Sequence, residues 1–191
     1  MVSKVNSREK ILQTASRLFQ LQGYHGTGLN QIIKESGLPK GSLYHHFPNG
    51  KEELAIEAVQ YTSKFIEENL QKLMNEKEGP VEAIQAFIRD TASQFDNLED
   101  IKGIPVGLLA SETALISEPL RNACMQAFKN WQMIIAKKLI QNGYEKEEAT
   151  KKGLLVNSMI GGGIMHSLTS KDKTPLLVIM EVIPLLIEKK G

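Results

Sequence analysis

Apolar residues recur along the chain with a helical period, and no stretch shows the alternation of a strand. Ile11, Leu12, Ala15, Leu18 and Phe19 fall on one helix face. Asn6 and Glu9 precede them at capping-box spacing, and the stripe stops at Gly23. The pattern then predicts a short helix from Gly28 to Ser36, with Thr27 as N-cap and Gly37 past its end, and a shorter one from Lys40 to His46. Asn49 and Glu52 repeat the capping-box spacing and open a long helix to Glu76, with Leu54, Ala58, Tyr61, Phe65 and Leu73 as inner positions. Gly79-Pro80 restarts the chain, and Ala83, Ile84, Phe87, Ile88 and Phe95 carry the next stripe. Pro105 and Pro119 suit first turns, Ser117 suits a cap, and a helix through Met125, Phe128, Trp131 and Ile135 ends at Asn142-Gly143. Two last helices, 145–169 and 175–189, are apolar on more than one face. The expected class is all-α, with no internal repeat of the solenoid kind.

Composition keeps the chain among ordinary globular proteins: 191 residues, 41% hydrophobic and 24% charged. A lone cysteine, Cys124, cannot form an internal bridge, and it suits a small buried apolar residue better than a redox sensor. The opening MVSKVNSREK lacks the apolar core of a signal peptide. Gly153–Leu168 and Pro175–Ile187 fall short of the roughly 18 clean residues of a membrane span, and Asn157, His166, Glu181 and Pro184 interrupt them. A cytoplasmic chain without membrane attachment is expected. The net charge of +1 hides a skew: residues 1–50 hold six Lys/Arg against two Glu, whereas the remainder holds seventeen against twenty acids. A basic N-terminal segment on a mildly acidic body suggests a localised polyanion contact.

The chemistry concentrates in Thr27–Lys51, TGLNQIIKESGLPKGSLYHHFPNGK. Two short helices separated by a glycine-containing turn make a helix-turn-helix. On the second helix Leu43 and Phe47 define the inward face, Gly41, Ser42 and His45 point the opposite way, and Tyr44 and His46 flank. Small and hydrogen-bonding residues thus cover its outer surface, the form a major groove admits, and Gly41 lets the backbone come close. Lys40 can reach a base edge or phosphate, and the Tyr44 hydroxyl suits a phosphate oxygen. Lys51 lies at the positive end of the next helix, where anions bind.

Three stretches, Gly23-Tyr24-x-x-Thr27, Gly37-Leu38-Pro39-Lys40-Gly41-Ser42-Leu43-Tyr44-His45-His46-Phe47 and Lys51-x-x-Leu54, resemble the N-terminal signature of TetR-family transcriptional repressors. The resemblance covers residues 7–55. Two departures stand out: Leu29-Asn30-Gln31-Ile32-Ile33 replaces the usual Asp-Ile-Ala core, and Pro48-Asn49-Gly50 carries one inserted residue. PNGKEEL, with KGIPVGLLASETA at 102–114, is similar to the LmrA/YxaF-like branch, some of whose members respond to flavonoids.

The resemblance implies a three-helix DNA-binding domain over residues 1–50, with its helix-turn-helix at about 28–47, and a ligand-binding and dimerisation domain over 51–191. It also implies contacts to double-stranded operator DNA from Thr27, Lys40, Gly41, Ser42, Tyr44, His45, His46 and Lys51. The implied partners are a second copy of the chain and a small hydrophobic or aromatic effector, flavonoid-like by analogy with the branch. No cofactor is called for.

In the body, Phe87, Phe95, Phe128 and Trp131 sit at helical spacing, so they are core residues or an aromatic-lined pocket. Asn157 and His166, polar within an apolar helix, call for a ligand, a water or a hydrogen bond across a dimer. Gly161-Gly162-Gly163 costs a helix about 1 kcal/mol per residue relative to alanine. It needs a reason, either close crossing at a dimer seam or a kink beside a cavity, unless it is merely tolerated. It is not a phosphate loop, lacking the strand before it and the Lys-Ser/Thr after it. His25, His45 and His46 have no carboxylate or thiol cluster of metal-site spacing, and no nucleophile motif marks an enzyme. The expected function is a repressor released by its effector; activation, or control by a protein partner, fits the same residues.

Overall fold

The computed structural model describes residues 6–96 and 105–187. Its described residues form α1 (Ser7–Gly26), α2 (Leu29–Ser36), α3 (Lys40–His46), α4 (Lys51–Glu76), α5 (Pro80–Ser93), a 3-10 turn (Gln94–Asp96), α6 (Pro105–Thr113), α7 (Glu118–Gln141), α8 (Lys146–Ser170) and α9 (Thr174–Ile187). No strand occurs among them. They divide into two compact units, one drawn from Met1–Lys64 and Lys102–Ala127, the other from Phe65–Ile101 and Phe128–Gly191. The compact units do not divide at the expected boundary after residue 50: the first part of α4, all of α6 and the start of α7 stay with the N-terminal helices.

The first unit is built on the α1 stripe: Ile11, Leu12, Ala15, Leu18 and Phe19 are all buried, and α2, α3 and α6 pack on α1. Asn6 caps α1, its side chain accepting the Arg8 N–H at 3.3 Å, while Glu9 accepts from Gln13. Three local expectations are corrected. Thr27 is not the N-cap of α2; Gly28 holds that position, and the Thr27 hydroxyl donates to the Gly23 carbonyl at 2.8 Å. The capping acid of α4 is Glu53, which accepts the Asn49 N–H at 2.8 Å, because the helix starts only at Lys51. Tyr61 and Phe65 are exposed, and the buried face of α4 runs instead through Leu54, Ala55, Ala58, Val59, Thr62 and Ser63, then Leu70 and Met74.

In the second unit α9 packs on both α5 and α8. The buried positions of α8 are Ala149, Gly153, Val156, Ile160, Gly163 and Ser167, a steps-of-four-and-three seam. A Cβ on Gly153 would lie 2.7 Å from the Gln132 carbonyl, so glycine admits α7 to that spot. A Cβ on Gly163 would lie 2.5 Å from Ile179 Cδ1 and 3.0 Å from Leu176 Cδ2, so this glycine serves the α8–α9 crossing within one chain. Gly161 and Gly162 face open space, and α8 continues through all three. The carbonyls of Leu186 and Ile187 accept from the Lys152 ammonium and the Tyr144 hydroxyl. Leu154, Leu155 and Met165 on α8, with Val178 and Leu185 on α9, remain exposed in the single chain. Among the described residues no helix is long and apolar enough to cross a membrane.

Candidate nucleic-acid interface

Gly37 ends α2 in the left-handed conformation, φ 65° and ψ 23°, and its N–H bonds the Lys34 carbonyl at 3.3 Å. Pro39, extended, then opens α3, and its carbonyl accepts the Ser42 N–H at 2.9 Å. Leu43 and Phe47 are buried to 1% and 0% exposure and pin the seven-residue helix to its unit. The remaining face is open: Lys40, Gly41, Tyr44 and His45 are exposed, with Ser42 and His46 partly so. The Lys40 ammonium lies 5.7 Å over the Tyr44 ring, and the two histidine rings meet edge-on at 4.9 Å.

Gly41 meets nothing within 4 Å of where a Cβ would stand. Glycine in a helix costs about 1 kcal/mol relative to alanine, and nothing inside the protein demands it here.

Of the bases in the N-terminal segment, two are committed internally: Arg8 pairs with Glu57 and stacks 5.4 Å over Phe47, and Arg17 pairs with Glu35. Hydrogen bonds from Gln31 and Arg17 hold the Glu35 carboxyl below its usual range. The basic skew of the sequence therefore overstates the positive charge this unit can offer an anion.

Lys51, first residue of α4, sits in a corner made by α1, α4 and α6. Its ammonium lies 4.5 Å over the Tyr24 ring. Burial lowers its pKa, and the charge of Glu112 opposes that shift. Burial, with Glu52 behind it, raises the Tyr24 phenol. Gly23 breaks α1 at φ 72° and ψ −178°, and the Glu112 carboxylate lodges where a side chain on residue 23 would stand. Glu112 also accepts the His25 N–H at 3.0 Å, while Glu52 accepts the Ser117 hydroxyl at 2.6 Å. Ser117 caps α7 as well, accepting the Leu120 N–H at 3.2 Å.

Thr27 leaves the set of candidate contacts: it is fully buried, and its hydroxyl is spent on Gly23. It ties the α1–α2 corner together rather than facing outward. Glu112 and Tyr24 were missed as members of this corner. Glu112 lies 87 residues beyond His25, and no spacing rule links them.

Among the body candidates, the structure brings Phe128, Trp131 and Asn157 together. The two rings meet edge-on at 5.5 Å, and the Asn157 amide donates to the Phe128 carbonyl at 3.5 Å. Phe87 on α5 is partly exposed and Phe95 is buried in the 3-10 turn. His166 is exposed on α8, so it needs no partner inside the chain. Cys124 is buried, which pushes its thiol up to about 11. Among the described residues no three His, Cys, Asp or Glu side chains are placed to hold a metal ion.

Comparison with known proteins gives two family matches. The model for bacterial regulatory proteins of the tetR family matches residues 11–58, and that for the C-terminal domain of LmrA/YxaF-like transcriptional regulators matches residues 80–182. The chain is 71% identical over 191 residues, all of both chains, to the uncharacterized HTH-type transcriptional regulator YxaF of Bacillus subtilis. It is 55% identical over 184 residues to the HTH-type transcriptional regulator LmrA of the same bacterium, covering 96% of this chain and 98% of that one. Among solved structures, a TetR transcriptional regulator from Legionella pneumophila superposes with a TM-score of 0.86 at 23% identity, over 98% and 100% of the two chains. The regulator CifR, solved with double-strand operator DNA, superposes at 0.78 and 19% identity, over 92% and 93%. Both share the fold.

Proposed function

The chain belongs to the TetR family of DNA-binding transcriptional regulators, with the C-terminal domain of the LmrA/YxaF-like branch, and we propose that it is a dimeric repressor that reads its operator with α3 and lets go when an aromatic effector binds. It is a regulator, not an enzyme. The observation that carries the DNA-reading face is Gly41, a helical glycine with open space around it, between Lys40 and Ser42 and above the buried anchors Leu43 and Phe47. A major groove is the surface that calls for such a bare backbone.

The rest of the proposal follows from exposed chemistry. Leu154, Leu155, Met165, Val178 and Leu185 give α8 and α9 an uncovered apolar surface that a second copy would bury by two-fold pairing. Two copies of α3 then read two half-sites at a fixed separation. Phe128 and Trp131, at right angles with an amide beside them, suit a planar aromatic ligand. Such an effector releases DNA only through its differential affinity for the bound and released conformations.

The deciding experiment is Gly41→Leu. A Cβ at residue 41 meets no atom of the protein within 4 Å and leucine improves helix propensity, so the fold should be kept or slightly stabilised. Binding to the duplexes recovered by site selection should be lost. A variant that binds them like the parent would show that α3 does not enter a groove. Trp131 is the only tryptophan in the chain, so its fluorescence reports effector binding; no response to any planar aromatic compound would remove the Phe128–Trp131 site.

A further inference from the structure

The first turn of α4 and its surroundings hold several carboxylates, and most are already engaged. Glu52 accepts from the Ser117 hydroxyl, Glu53 from the Asn49 N–H, and Glu57 pairs with Arg8. Glu112, from α6, differs. Its hydrogen bond comes from a backbone N–H, that of His25, a neutral donor that leaves the carboxylate's full charge to act on its surroundings. The absence of a side chain at Gly23 fixes where that charge sits. The Lys51 ammonium lies 4.5 Å over the ring of Tyr24, the residue between Gly23 and His25 in the same corner.

We propose that Glu112 is an internal rival of the DNA backbone for Lys51, an autoinhibitory carboxylate that serves this lysine in the free protein and weakens its hold on phosphate. The inference rests on reading Lys51 as a phosphate contact. A phosphate arriving at Lys51 takes over a cation that Glu112 already stabilises, and it also meets Glu112 as a like charge. Both effects reach DNA of any sequence, because a phosphate contact carries no sequence information. Glu112 thereby lowers operator and non-operator affinity by the same factor and keeps the protein from lingering on bulk DNA.

The test is E112Q in the full-length protein, since glutamine keeps an oxygen to accept the His25 N–H while removing the charge. At low salt, affinity for a mixed-sequence duplex should rise about threefold per subunit, and thus about tenfold for a dimer, the scale of an exposed charge interaction. The gain should be equal on the site-selected duplex, shrink as salt is raised, and fall to the smaller like-charge share when Lys51→Ala is already present. Lys51→Ala alone should flatten the slope of log affinity on log salt by about 2, one contact per subunit. If Lys51→Ala flattens the slope but E112Q binds no tighter, the rivalry is refuted and the phosphate contact stands. A gain that stays undiminished without Lys51 also refutes it. An unchanged slope in Lys51→Ala removes the phosphate contact and this inference with it. A second readout needs no DNA: the Lys51 ammonium, followed by NMR, should titrate at lower pH in E112Q than in the parent, and an unchanged midpoint overturns the proposal.

Discussion

Gly23 and Gly37 both have positive φ, yet substitution should separate them sharply. Gly37, at φ 65° and ψ 23°, is left-handed helical, a conformation asparagine also visits. A Cβ there would lie 3.8 Å from the Lys10 ammonium, an ordinary contact. Gly37→Ala should therefore cost about 1 kcal/mol, and Gly37→Asn a few tenths. Gly23, at φ 72° and ψ −178°, occupies a region open essentially to glycine alone, so any side chain costs about 1–3 kcal/mol in backbone strain. The new Cβ would also stand 2.7 Å from Glu112 Cδ. The carboxylate must swing away and give up the His25 N–H, a bond worth about 1 kcal/mol net. Alanine and asparagine at 23 should each cost about 2–4 kcal/mol, lowering Tm by roughly 4–16 °C for a chain of this size. Thermal unfolding at one fixed chain concentration compares the four variants, because dimerisation makes Tm concentration-dependent. Asparagine at 23 costing no more than asparagine at 37 would refute the backbone reasoning. Repeating Gly23→Ala in the Glu112→Ala background should recover the carboxylate's share and leave the strain.

Other outcomes follow from the same geometry. Arg17→Ala should leave the salt dependence of DNA binding near the parent's, unlike Lys51→Ala, because Arg17 is committed to Glu35; an equal flattening would show that the pair opens on DNA. Gly162→Leu should keep the protomer folded yet loosen the dimer, by about 1–3 kcal/mol for each of two symmetric sites, if the exposed α8 glycines lie at the seam. Sedimentation equilibrium checks this, whereas Gly163→Leu should destabilise the chain itself against Leu176 and Ile179. The Cys124 thiol should resist thiol–disulfide exchange in the folded protein at pH 8, as a titration with a chromogenic disulfide would show. Its raised pKa means the unfolded chain loses this proton first, so stability from this group is full below the ordinary value of 9.0 and falls as pH rises toward about 11.

What could be read from the chain alone is what short-range rules govern. Helix class, the position of α3 and the burial of Leu43 and Phe47 follow from periodicity and from Gly37 and Pro39, all within a dozen residues of one another. The failures share a cause as well. Thr27 looked like a cap because its residue type caps helices, but the break at Gly23 gave its hydroxyl a carbonyl instead. Phe65 looked inward because it is aromatic and suitably spaced, but the α4 face follows the small residues Ala58, Thr62 and Ser63. Glu112 had no local signal, since its role depends on α6 reaching α1. Of the three consecutive glycines, only Gly163 has a reason inside one chain, and spacing could not single it out.

The scale of the contacts explains why a dimer matters to the proposed switch. A seven-residue α3 presents Lys40, Ser42, Tyr44 and His45, enough for about two base contacts at about 1–3 kcal/mol each. Arg8 and Arg17 are occupied with carboxylates, so they add little to the unspecific attraction that the lysines supply. That falls well short of the roughly 11–15 kcal/mol behind typical operator affinities. The difference has to come from joining two such units, which makes the second contact intramolecular at an effective concentration near the millimolar range. Affinity held mostly by that coupling is sensitive to spacing, because a displacement of one base pair, about 3.4 Å, also turns the half-site around the duplex axis. An effector that favours the wrong separation of the two α3 helices removes the coupling without touching either DNA-reading face.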